Sequence, residues 1–206
     1  MISKKTKYHM SFSTGGLFHQ DSVRIVMLFP GAGNWEKVRE TVIDENILQT
    51  RTLASSQRIS REICARLALL SDKELAVLIN GSSQDQAYIL WLAVCRRHRF
   101  IYEFAVEVLR EKFLTLQHEL NHEDFDAFFN AKASWDDALE HISDSTRKKL
   151  RQVLFKIMRE AGLLTPENLI IPAILSSDVI KAIESTSQKD FSVFPVAESD
   201  LKEWAK

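Results

Sequence analysis

Apolar residues recur at three- and four-residue spacing along almost the whole chain, and only six glycines and four prolines interrupt 206 residues. That period belongs to the α-helix, and scarce breakers leave room for long elements. The clearest stripe is Leu150, Val153, Leu154, Ile157, Met158 and Ala161, at i, i+3, i+4, i+7, i+8 and i+11. The same pattern predicts helices over 16–28, 35–45, 57–70, 72–79, 84–97, 100–116, 123–132, 136–141 and 146–161.

The stops between these stretches carry their own chemistry. "FPGAGNW" predicts a Pro/Gly turn with Asn34 as the N-cap of the next helix. Ser71 with Glu74 has capping-box spacing. Ser55 or Ser56 is expected to cap the 57–70 helix, and Ser134 to start the 136–141 helix. Only two stretches read as strand. "LLTPENLIIPAIL" (163–175) has two short apolar runs around a Thr-Pro-Glu-Asn turn, which predicts a small hairpin. "FSVFPV" (191–196) predicts an edge strand stopped by Pro195. The expected fold is mainly α. An N-terminal multi-helix array over residues 1–120 precedes a C-terminal unit over 121–206, with the boundary near "LQHELNHED".

Composition narrows the function classes. Hydrophobic content of 45% and charged content of 27% are ordinary for a globular protein. No apolar run reaches the roughly 18 residues of a membrane helix, so no membrane partner is expected. "MISKKTKYHMSFSTGG" has no apolar segment behind its lysines, so no secretory signal is expected. Cys64 and Cys95 lie in apolar helical patterns without CxxC spacing and read as reduced core thiols of a cytoplasmic protein.

The charge is uneven. The chain carries −1 overall, yet residues 143–161 hold six Lys/Arg against Asp144 and Glu160, a local +4. Arg147, Lys148 and Arg151 lie off the apolar stripe in the first turns of the helix, where the positive end of the helix dipole makes cations unfavourable. A polyanion outside the helix would offset that. The surrounding order is helix, short helix, Ser-Asp-Ser turn, long basic-ended helix and hairpin, which is the order of a winged helix-turn-helix domain. On that reading Lys148, Lys149 and Arg151 meet phosphates, Arg147 reaches a base edge, and Ser145 and Thr146 add hydroxyl and N–H contacts. A second basic surface is expected from "RTLASSQRISREICAR", through Arg51, Arg58 and Arg61. In "CRRHRF", Arg96, Arg97 and Arg99 close a helix and suit its dipole. The competing reading of the basic helix is a scaffold that holds an acidic protein partner.

Catalytic signals are weak. "HELNH" (His118, Glu119, His122) matches the zinc-peptidase pattern, with Glu140 or His141 as third ligand, and makes zinc hydrolysis a remote alternative. Asn121 followed by Glu123 and Asp124 looks like a helix start that would separate the two histidines. "STGG" and "GAG" lack the residues of phosphate-binding loops and read as turns. Trp35, Trp91, Trp135, Phe128 and Phe129 sit at core spacing. No catalytic residue, metal ligand, cofactor or small-molecule substrate is expected.

Several segments, taken in order, resemble the BrxA family, a small component of BREX bacteriophage-exclusion systems. They are "SFSTGGLF", "RTLASSQR", "ILWLAVCRRHRFIYEFAVEVLREKF", "DFDAFFNAKASW", "STRKKLRQVLFKIMREAGLL" and the closing "FPV". The resemblance implies a cytoplasmic, helical, non-enzymatic protein that binds double-stranded DNA with little sequence preference and works alongside other BREX proteins. It carries no catalytic residue. It does include the basic stretches of Arg51 and Arg58 and of Arg147 to Arg151.

Overall fold

The computed structural model describes residues 8–13, 15–197 and 199–200. The expectation about a secretory signal falls in part on residues 1–7 and Thr14, outside the described residues. Helices dominate, and most begin on a side chain that accepts a backbone N–H, each such cap contributing about 1 kcal/mol. A 3-10 turn, Ser11–Ser13, precedes α1 (His19–Val26), α2 (Phe29–Ala32) and α3 (Trp35–Asp44). Asn34 caps α3 by accepting from Lys37 N at 2.8 Å, as its place in the sequence predicts. α4 (Leu53–Leu67) is capped by Thr52, not by Ser55 or Ser56. α5 (Asp72–Asn80) opens on the reciprocal Ser71–Glu74 box. α6 (Ser83–Arg97) opens on an equivalent Ser82–Asp85 pair. α7 (Arg99–Phe104) continues through a π-helical turn (Ala105–Arg110) into α8 (Glu111–Leu114).

α6 is the organising element. Every residue from Ala87 to Cys95 is buried, so the helix is apolar all round rather than striped. α1, α4, α5, α7, α11 (Asp144–Glu160) and α12 (Ser177–Glu184) all pack against it. Trp91, fully buried, donates its indole N–H to the Val193 carbonyl at 2.9 Å. The buried residues form one connected cluster that includes Leu75, Trp91 and Phe100 together with Phe125, Leu154 and Phe194.

After Leu120 the chain forms α9 (His122–Ala133), the short α10 (Asp137–Glu140) and α11. Asp136, not Ser134, caps α10. Ser143 caps α11, so that helix starts two residues before the predicted Thr146. Gly162, at φ +72°, ends it. The hairpin expected over 163–175 does not form paired strands: among the described residues pairing is limited to isolated antiparallel bridges, Leu164 with Ile170 and Glu119 with Leu169.

Three further expectations are corrected. "FPGA" forms the short helix α2 because Pro30 sits in its first turn, where no N–H is needed. α1 begins at His19, since Phe18 takes a left-handed conformation, φ 57°. The edge strand expected over 191–196 is a 3-10 helix, Gln188–Val193, followed by extended chain. Phe191, Val193, Phe194 and Val196 are buried there by side-chain packing, such as the 5.8 Å edge contact of Phe194 with Tyr88, and not by strand pairing.

Candidate nucleic-acid interface

The start of α11 is built by three residues of α9. Arg147 Nε donates to Asp126 Oδ1 at 3.0 Å, its Nη2 to the Asp126 carbonyl at 2.9 Å, and its Nη1 to Asn130 Oδ1 at 2.8 Å. The guanidinium lies 4.7 Å over the Phe129 ring. Arg151, one turn on, donates from Nη1 to the other Asp126 oxygen. One carboxylate therefore spans two guanidiniums. The placement of the cations at this helix start predicts that they depend on an anion from outside the protein, but they do not all do so: α9 supplies an internal one to Arg147 and Arg151.

Lys148 and Lys149 differ. Both are exposed, and among the described residues neither makes an ion pair. At 100° per residue, the outward arc of α11 runs from Arg151 through Lys148 and Gln152 to Lys149. Asp126, Asp144, Arg147, Lys148 and Arg151 line a cleft of about 250 Å³ at one edge of that arc. Ser145 and Thr146 are exposed, and their hydroxyls sit 3.1 and 3.0 Å from the Ser143 hydroxyl.

Arg51, Arg58 and Arg61 are exposed, Arg51 before α4 and the other two at i and i+3 along it. α4 packs against α1, α3 and α6, whereas α11 packs against α6 and the Ser11–Ser13 turn. The two basic surfaces thus belong to different parts of the helical assembly. The "CRRHRF" arginines divide: Arg96 is drawn inside by Glu74 and Asp190, Arg99 pairs with Glu103, and Arg97 stays exposed.

The zinc pattern does not survive folding. Ile170 N–H donates to the His118 carbonyl at 2.7 Å, and Leu120 N–H to that of Asn168 at 3.0 Å, so His118 and Glu119 lie in a bridged extended segment. α9 begins at His122, after Asn121 N–H meets Asp124 Oδ2 at 2.7 Å. His118 and His122 share no helical face, and the His122 ring packs edge-on against Phe155. Among the described residues no group of three His, Cys, Asp or Glu could hold a metal. At the end of the "STGG" stretch, Arg66 donates to the Gly16 carbonyl, and the N–H of the next residue, Leu17, donates to Glu160. Of the aromatic set, Trp91, Phe128 and Phe129 are buried and Trp35 stacks on Phe29, but Trp135 is 39% exposed against Tyr8.

Asp126 and Asn130 were not singled out by the sequence, and Phe129 was expected only as core. A signal existed: Asp126 and Asn130 are four apart on one helix, as Arg147 and Arg151 are on another. Which helix faces which is a tertiary fact that spacing alone does not contain.

Comparison with known proteins follows the same lines. The BrxA family profile matches residues 6–187. A BREX protein BrxA from Bacillus cereus (strain H3081.97) is 27% identical over 185 residues, 88% of this chain and 92% of its own. A BREX protein BrxA from Escherichia coli O9:H4 (strain HS) is 23% identical over 168 residues, 81% of this chain and 78% of its own. A crystal structure of an uncharacterized protein from Magnetospirillum magneticum shares the fold, with a TM-score of 0.80 at 20% identity over 92% of this chain and 98% of that one. With a family profile matched over most of its length, the chain belongs to the BrxA family.

Proposed function

We propose that this chain is a non-enzymatic accessory protein of a BREX phage-defence system that binds double-stranded DNA with little sequence preference, in the cytoplasm and beside other BREX proteins. The observation that carries the reading is the outward arc of α11, where unpaired Lys148 lines a cleft holding two pre-aligned arginines and unpaired Lys149 stands further round the same arc. Relatives named BREX protein BrxA support the setting. α9, α10, α11 and the bridged segment 163–171 are read as a winged helix-turn-helix unit, with α11 offered to the major groove. Arg51, Arg58 and Arg61 supply a second phosphate-contacting surface.

The test is a mobility-shift series on random duplex DNA across salt concentrations. Neutralising about four to six phosphates gives a log-affinity slope against log salt of about −4 to −5. Reversing Arg147 or Arg151 would cut α9 from α11, so the informative variant is Lys148→Glu with Lys149→Glu. It is expected to weaken binding at least about tenfold, the electrostatic weight of two lost phosphate contacts, with unchanged far-UV circular dichroism. Unchanged binding removes this face from consideration. The bridged loop, "TPEN", has no Lys or Arg, and Leu169 beside it is 45% exposed, which favours a protein contact as the second reading. A wild type that retains no duplex at low salt supports that second reading instead.

A further inference from the structure

The cleft at the start of α11 contains its own anion. Asp126 receives Arg147 Nε on one oxygen and Arg151 Nη1 on the other. A guanidinium presents donors in a planar fork that fits a carboxylate and a phosphate alike. A phosphate standing between Arg147 and Arg151 would therefore use the donors that Asp126 now uses. The carboxylate is reachable, with its side chain 35% exposed, while the arginine side chains are 21% and 19% exposed. Arg147 is also held without it, by Asn130, the Asp126 carbonyl and Phe129. Asp126 takes only Nη1 of Arg151, so this guanidinium has donor capacity that Asp126 does not fill. The open cleft of about 250 Å³ is several times the roughly 30 Å³ of one water, which leaves room for a hydrated anion.

We infer that Asp126 is a resident phosphate mimic: it pre-aligns Arg147 and Arg151 in the free protein and is exchanged for a backbone phosphate when duplex DNA arrives. The inference rests on the DNA-binding reading and deepens it. Asp126 then sets duplex affinity lower than the arginines alone would give, and it holds both side chains in the rotamers that contact requires. Without this internal competitor the site would gain affinity and lose stability at the same time. A purely structural ion pair predicts that both fall together, so the direction of the two changes separates the cases.

The experiment compares wild type, Asp126→Asn and Asp144→Asn in full-length protein, reading thermal midpoint and random-duplex affinity across salt. Asp144 lines the same cleft and carries the same charge, but it bridges no arginine. Asp126→Asn is expected to lower the thermal midpoint and to bind duplex roughly two- to fivefold tighter, the weight of one partly exposed ion pair. Asp144→Asn is expected to move affinity less. Weaker or unchanged binding by Asp126→Asn, or an equal gain in Asp144→Asn, overturns the exchange. Should Asp126→Asn fail to fold, the side-chain Nε–H NMR signals of Arg147 and Arg151 in wild type decide: they shift on adding a short duplex if exchange occurs, and stay fixed if it does not. Absence of duplex binding by wild type and variants alike overturns the DNA reading itself, with this inference.

Discussion

Arg96 ties three segments through one guanidinium. Its Nη1 and Nη2 donate to Glu74 at 2.8 and 2.7 Å, Nη2 also reaches Asp190 at 2.7 Å, and Nη1 meets the Leu69 carbonyl at 2.9 Å. Glu74 is fully buried and also receives the Ser71 N–H, so its charge has no access to water. Arg96→Met leaves that carboxylate uncompensated and is expected to cost about 3–5 kcal/mol in urea unfolding, the usual penalty for breaking one side of a buried pair. A second buried group answers to pH. Burial pushes the Glu62 carboxyl up, but the hydrogen bond from His98 and the charge of Arg66 outweigh this and hold it at about 2. Burial lowers the pKa of His98, against the opposing pull of Glu62. The signs agree. Below the ordinary histidine value of about 6.5, the unfolded chain takes up His98's proton before the native state does. Below the ordinary carboxylate range, Glu62's contribution, fully present above it, is lost toward about pH 2. Unfolding free energy should therefore fall steadily as pH drops below about 6.5. His98→Asn should flatten the upper part of that curve, read by urea titration at each pH.

At the scale of the element, α11 shows what local sequence decides and what it does not. Its apolar stripe is buried as spacing requires: Leu150, Leu154, Ile157 and Met158 are fully inaccessible. Both ends are chemically marked. Ser143 receives Thr146 N–H at the start, and at the finish Gly162 takes φ +72° while Gln84 Nε2 donates to the Ala161 carbonyl. Gly162→Ala forces a side chain into the left-handed region and is expected to cost about 1–2 kcal/mol, measured as a shift in urea midpoint. The glycine stop and the Asn34 and Ser71 caps were readable, because a cap acts within four residues. Thr52, Asp136 and α2 were not. At α4 and α10 several Ser, Thr and Asp stand together, and packing decides which one faces the free N–H groups. The 191–196 stretch was misread for a related reason: alternating apolar residues serve a strand or an irregular segment laid on a helix equally well. Spacing did not tie Asp126 to its arginines, because they lie more than twenty residues away on another helix.

Across the whole molecule, the predominance of helix followed from period and from scarce breakers, and the family from segments spread over the chain. The central place of α6 was less open to reading. A helix buried on all sides lacks the one-sided pattern that reveals a face, and only its unbroken run Ala87–Cys95 hinted at its position. The core passes through α6 and continues across residue 120. That arrangement places both thiols inside, Cys64 on α4 and Cys95 on α6, 5% and 1% exposed, with no disulfide among the described residues. Burial raises the Cys64 thiol to about 11 and Cys95 well above its ordinary range. Neither sulfur meets an alkylating reagent until the surrounding helices part. The chain thus carries two unlabelled clocks for its own breathing: mass-resolved alkylation should record Cys95 at the rate of global opening and Cys64 at or above it, and bound duplex should slow both.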